Sequence, residues 1–185
     1  MTISIIAVVL VLLVLWMMNT KRSLAIMCEN ANNAMNQIGV QLSSRFDALT
    51  ALLDLTKGYA AHEAQTLLSS VKSRRSAITA TSTPNDVLKQ EEVISEALDR
   101  LSMAAEQCPE LKTDEGYARC MNAVDSYEKM VRTSGLIYNA SVTKLNRTIQ
   151  MFPTSLIAGL MGVHQRDYLE VTENKKNMPN MKQGA

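Results

Sequence analysis

The chain has 185 residues, 19 basic and 18 acidic, for a net charge of +1. No Lys/Arg cluster exceeds Lys72, Arg74 and Arg75, so nothing recommends nucleic acid as a partner. Aromatic residues make up 4% of the chain, with 7 Gly and 4 Pro, while Ala, Leu, Met, Glu, Lys and Gln are plentiful; that composition points to an all-α fold and away from hairpin-built sheets.

Residues 3–18 form an uncharged apolar run that includes Ile3, Leu10 and Trp16 and is followed closely by Lys21 and Arg22. As a helix, these sixteen residues rise about 24 Å, and residues 1–19 come near the ~30 Å of a bilayer's hydrocarbon, with Trp16 placed for the interfacial belt. A cleaved signal peptide is the rival. It would need a basic segment before Ile3 and a small-x-small site after Met18, and lipoprotein processing would need a small residue where Ile26-Met27 precede Cys28. The expectation is an uncleaved transmembrane anchor over residues 1–20, making the protein integral to a membrane. Both flanking charges lie C-terminal to the span, so the positive-inside rule sends the N-terminus out and the body into the cytoplasm.

From residue 23 to residue 82 there is no proline. Apolar or small residues recur there in steps of three and four, through Ala31, Met35, Ile38, Leu42, Phe46, Leu49, Leu52 and onward to Ile78, a heptad-like stripe. Thr83-Pro84-Asn85-Asp86 supplies an N-cap, a first-turn proline and an acidic third position for a second helix, which Cys108-Pro109 stops. Thr113-Asp114-Glu115 opens a third, with its stripe from Tyr117 through Tyr138 to Phe152 until Pro153. A short apolar helix over 155–163 follows, either interfacial, an oligomer contact or, by expectation, a cap on the end of the bundle. Residues 21–171 thus read as an elongated antiparallel bundle of three to four helices, and 172–185 as a disordered tail.

Length arithmetic bears on assembly. One helix over 23–82 would be about 90 Å long, against about 36 Å for the return helix. Either the first helix breaks near Gly58, or Met35, Ile38, Leu42 and Phe46, with Arg45 among them, form an interaction face covered by further copies or another protein. Arg45, Asp47, Lys57, His62 and Glu63 otherwise read as the solvated flank of that stripe. Asn139 and Asn146 stand seven apart on one helix face, where amides can fix bundle register.

The candidate chemistry is thin. His62-Glu63 begins a zincin-like motif, but Thr66 stands where the second histidine belongs, so no metal pair forms. Gly58 and Gly135 are isolated, so no phosphate loop exists. A Cys108–Cys120 disulfide is conceivable, although helical rise separates the two beyond the ~7 Å that a bridge tolerates. No catalytic residue, cofactor or metal is expected.

The stretch Asn-Asn-Ala-Met-Asn-Gln-Ile-Gly-Val-Gln-Leu-Ser-Ser-Arg-Phe-Asp at 32–47, continued by Lys-Gly-Tyr-Ala-Ala-His-Glu at 57–63, resembles the opening signature of LemA family proteins. So do Tyr138-Asn139, Asn146 and the run Phe-Pro-Thr-Ser-Leu-Ile-Ala-Gly-Leu-Met-Gly at 152–162. The resemblance covers about residues 3–171. It implies a bacterial protein with a helical bundle behind one N-terminal span and no established enzymatic activity. The chain departs from the family at Gly39, where Asp is more frequent, at Thr50-Ala51, often Pro-Asn, and at Met35, often Trp. Without that proline, a continuous first helix is the expectation. The functional expectation is a non-catalytic, self-associating scaffold with an unidentified protein partner in the bacterial cell membrane; the alternative is an adaptor for a membrane protease or sensor in envelope-stress or sensory signalling, and an enzyme ranks last.

Overall fold

Why the first helix runs so long, and stops where it does, follows from what the rest of the chain covers. The structure, a computed structural model, describes residues 2–170; the tail expected at 172–185 lies outside them. The order is α1 Thr2–Thr56, α2 Ala61–Arg74, α3 Pro84–Gln107, α4 Pro109–Thr113, α5 Glu115–Gln150 and α6 Thr154–Leu160. Every regular element among the described residues is helical.

Helix α1 is 55 residues long, about 82 Å. No other part of the chain packs on its apolar start: Leu10 to Leu15 remain 53–60% exposed. Burial begins at Thr20 and Leu24, just past the apolar run. The helix is therefore one rod with two environments.

The expected continuation beyond residue 56 is not found. Residues 57–60 turn instead, with Gly58 N–H donating to the Leu55 carbonyl and Tyr59 and Ala60 N–H both donating to that of Thr56. Glycine lowers helix propensity at this point. The fold gains by reversal, because Leu67, Leu68 and Val71 of α2 then bury against the core. Arg75, just past α2, comes back to Asp47 and Ser43.

The stripe that sequence left without a partner has one inside the chain. Helix α5 spans 36 residues, about 54 Å, enough to cover α1 from end to end of the body. Tyr59 meets Asp114 at one end, and Leu24 clusters with Leu145 and Ile149 at the other. Met35, Ile38, Leu42, Arg45 and Phe46 are each 2% exposed or less. They form the core and offer no outward interaction face. The length arithmetic failed because it set the stripe against α3 alone.

Capping follows the sequence closely at α3. Thr83 Oγ1 accepts from Asp86 N–H, and Asp86 Oδ2 accepts from Thr83 N–H, satisfying two donors that the helix start leaves open. At α5 the cap is Asp114, which accepts from Tyr117 N–H at 2.9 Å. The single turn α4, which buries Leu111, was not anticipated.

Between α2 and α3 the backbone crosses α1 at Gly39. A Cβ on residue 39 would stand 2.2 Å from the Ile78 carbonyl oxygen, so glycine is required for this approach. Gly39→Ala is expected to cost about 1–3 kcal/mol, as overpacking does. Gly58→Ala, whose nearest neighbour would be 3.7 Å away, serves as the tolerated control. Equal urea midpoints for the two variants would contradict this close crossing.

Candidate functional site

Charged groups on three helix stripes converge on one point. Arg45 takes a core position between Leu42 and Leu49 on α1. Glu91 stands at the edge of the stripe between Val87 and Ile94 on α3, next to buried Gln90, and Glu128 at the edge between Val124 and Val131 on α5. Arg45 Nη1 donates to Glu91 Oε2 at 2.7 Å and Nη2 to Glu128 Oε2 at 2.6 Å, with the arginine side chain 3% exposed and the glutamates 29% and 40%. The guanidinium thus ties α1, α3 and α5 together. Arg45 Nε and Glu91 Oε1 are buried without a hydrogen-bond partner.

A cleft of about 310 Å³ opens beside the cluster, lined by Val87, Leu88, Val131, Arg132 and Leu169 as well as the ion triad. Two carboxylates face the one guanidinium of the triad, and Arg132 stands on the same cleft wall. Both acids are engaged in charge-assisted hydrogen bonds. Among the described residues no group of three His, Cys, Asp or Glu side chains is placed to hold a metal ion.

The second constellation is a backbone strap. After α6, residues 163–170 run without regular secondary structure along α5. Asn146 Nδ2 donates to the Arg166 carbonyl while its Oδ1 accepts from Arg166 N–H, both at 2.9 Å. Asn139 treats Leu169 the same way, at 2.7 and 2.8 Å. The spacing has a physical origin: seven helical residues advance about 10.5 Å, and three extended residues advance about 10 Å. Two amides one heptad apart therefore match a strap in steps of three. Tyr138 Oη adds a hydrogen bond to the Asp167 carbonyl at 3.1 Å, and burial pushes its hydroxyl pKa up. Leu169 is 5% exposed and belongs to the main core. The asparagines do share a face, as their spacing predicts, but they register a strap rather than a neighbouring helix.

The remaining sequence candidates are scattered. Lys21 and Arg22 are exposed on α1 just past the apolar run, and Trp16 is 39% exposed; Ile3 lies within α1. Cys28, Cys108 and Cys120 are free thiols. The conceivable Cys108–Cys120 bridge is absent because Cys108 caps α4 beside the Tyr59 carbonyl, whereas Cys120 packs on the main core. His62 and Glu63 are exposed in the first turn of α2. Asp47 pairs with Arg75 at 2.7 Å, and Arg75 also lies over the Phe46 ring at 5.4 Å. At the far end, the Tyr117 backbone N–H and then the Tyr59 hydroxyl hold the Asp114 carboxyl below its usual range.

Glu91 and Glu128 escaped the sequence reading, yet a signal was present. Each acid stands at the edge of its own stripe, and Arg45, within the third, supplies the opposite charge. Complementary charges flanking the apolar seam are how helices select partners.

These features define an all-helical protein whose N-terminal helix is long and apolar enough to cross a membrane and whose body is keyed by one buried arginine and closed by an asparagine-held strap. The LemA family model matches residues 34–182, and the chain belongs to the LemA family. No curated protein matches it.

Proposed function

We propose that the protein is a non-catalytic scaffold anchored in the bacterial cell membrane by residues 1–20. Its body is an elongated antiparallel helical bundle that self-associates and presents its outer face to other proteins. The N-terminus lies outside and the body in the cytoplasm, in keeping with Lys21 and Arg22. The observation that carries self-association is a shallow groove between α1 and α5. It is lined by Gln37, Gln41, Met130, Thr133 and Ile137, with Met130 45% and Ile137 54% exposed. This surface replaces the buried stripe as the contact between copies. Amides and hydroxyls, with Lys129 as the one charged residue of its lining, surround two apolar anchors, a mostly uncharged surface that suits a second identical helix pair. The acids of the Arg45 cluster are held in ion pairs that lock helices together, which favours a structural role over catalysis.

The test uses Ile137→Cys in a background lacking Cys28, Cys108 and Cys120. A membrane-permeant bis-maleimide should yield crosslinked dimers in intact cells, and an impermeant one should not. A protein that stays uncrosslinked with both reagents, and monomeric when solubilised at micromolar concentration, loses the self-association. Crosslinking by the impermeant reagent reverses the orientation.

A further inference from the structure

The membrane end of the body carries an apolar surface that the fold does not use. One side of α6 caps the bundle: Ile157 and Ala158 are 3% and 2% exposed and cluster with Leu24, Leu145 and Ile149. Its other side and the turn before it are bare. Phe152 is 81% exposed, Leu156 63%, Leu160 80% and Met151 58%. Four large apolar side chains over ten residues are far more than a surface carries by chance.

Their height along α1 supplies the occupant. Leu24, against which α6 packs, stands about 9 Å beyond Met18, the last residue of the apolar run. Thr20, nearer still, is already 9% exposed, so the folded body reaches almost to the end of that run. The run itself is short: about 24 Å of helix against ~30 Å of hydrocarbon. Counted from residue 1 to residue 19 the helix comes near that thickness, so the hydrocarbon edge lies near Asn19, with Lys21 and Arg22 at the headgroups and Leu24 about 8 Å of rise further on. Phe152, Leu156 and Leu160 therefore stand at the level of the bilayer surface.

Charge agrees with this placement. Residues 1–28 contain no acid, and neither do residues 129–166, which bring Lys144 and Arg147 to the same end. Lys21, Arg22, Lys144 and Arg147 are all exposed. A basic rim around an apolar centre is the chemistry of an anionic lipid surface.

We infer that α6 and the turn at residues 151–153 form an interfacial foot, seating Phe152, Leu156 and Leu160 in the acyl boundary of the leaflet on the body's side while basic residues meet anionic headgroups. The inference rests on the membrane-anchor proposal. With the foot seated, the body is held at two points: the span and, beside it, α6. Tilting of the body is then opposed, because tilting must lift the foot out of the leaflet, whereas turning about the span axis leaves it at the same depth.

The test places an environment-sensitive fluorophore on single cysteines at residues 12, 160 and 103 of the full chain lacking its native cysteines. The protein is reconstituted into vesicles containing phosphatidylglycerol and probed with nitroxide lipids. Residue 160 is expected to lose its emission to a shallow nitroxide, about 5–10 Å below the headgroups. Residue 12 is expected to lose it to a deep nitroxide, and residue 103, on exposed Met103 of α3, to neither. Quenching at 12 with none at 160 overturns the foot and leaves the anchor standing. No quenching at 12 overturns the anchor itself and the foot with it. A residue 160 shielded from water but unquenched by lipid shows that a second copy covers α6, and also overturns the inference.

Discussion

Arg45→Ala is expected to lower the stability of the body by about 3 kcal/mol, the lower end of what breaking a buried ion pair costs. For a domain of this size that is a fall in thermal midpoint of roughly 6–12 °C. The loss arises less from the attraction removed than from what remains: Glu91 and Glu128 stay half-buried without the guanidinium that bridged them. Their partial exposure lets water relieve some of this, hence the lower figure. The triple variant Arg45→Leu, Glu91→Met, Glu128→Met should recover most of the stability, because well-packed apolar residues replace a buried ionic set at little or no cost. Circular dichroism melts of the two proteins in the same detergent check this. An unchanged midpoint for Arg45→Ala would mean the guanidinium does not hold the three helices.

Asn139→Ala combined with Asn146→Ala should release the strap. Each amide serves both backbone groups of one strap residue, so each alanine strands a carbonyl and an N–H near the core, at about 1–3 kcal/mol per site where they stay unsatisfied. Amide hydrogen exchange at Arg166 and Leu169 should lose its protection, while Leu52 and Leu101 in the main core keep theirs. Asn146→Asp separates the two bonds: the acid still accepts from Arg166 N–H but cannot donate to its carbonyl, so protection at Arg166 should fall only in part. Unaltered exchange at Arg166 and Leu169 in the double variant would mean that Leu169 packing, the Tyr138 hydroxyl and the Arg166–Asn32 bond hold the strap without the two amides.

How far the fold could be read from the sequence depended on whether the signal was local. The Thr83 cap, the stops at Pro109 and Pro153, and the apolar faces of the long helices are set by neighbours a few residues apart, and they stand where the pattern puts them except at Phe152, which lies past the end of α5 and is exposed. What covers a face is a long-range fact. The stripe through Met35, Ile38 and Phe46 announces burial, but heptad spacing is the same whether the cover is α5 or another molecule. Gly58 carried the true break, and the absence of a proline at Thr50-Ala51 argued the wrong way, because the return of Leu67 and Val71 to the core outweighs local propensity. The site divides similarly. Asn139 and Asn146 were visible as a pair, whereas their partner is an irregular segment with no periodicity to betray it. The Arg45 cluster could have been found by noting opposite charges in and beside three stripes together; taken one helix at a time, each passes for an ordinary flank.

Because α1 passes from the apolar run into the body without a turn, its length works as a ruler. From residue 19 to residue 56 the helix advances about 55 Å, and among these residues neither a proline nor a turn interrupts it. A bilayer around residues 3–18 would hold the far tip, where Tyr59, Cys108 and Asp114 meet, at that fixed height. A protein lying flat on the same membrane could not touch the tip. A partner there must itself stand some tens of ångströms off the membrane or arrive from solution, whereas neighbours of low profile are confined to the lower half of α1 and α5.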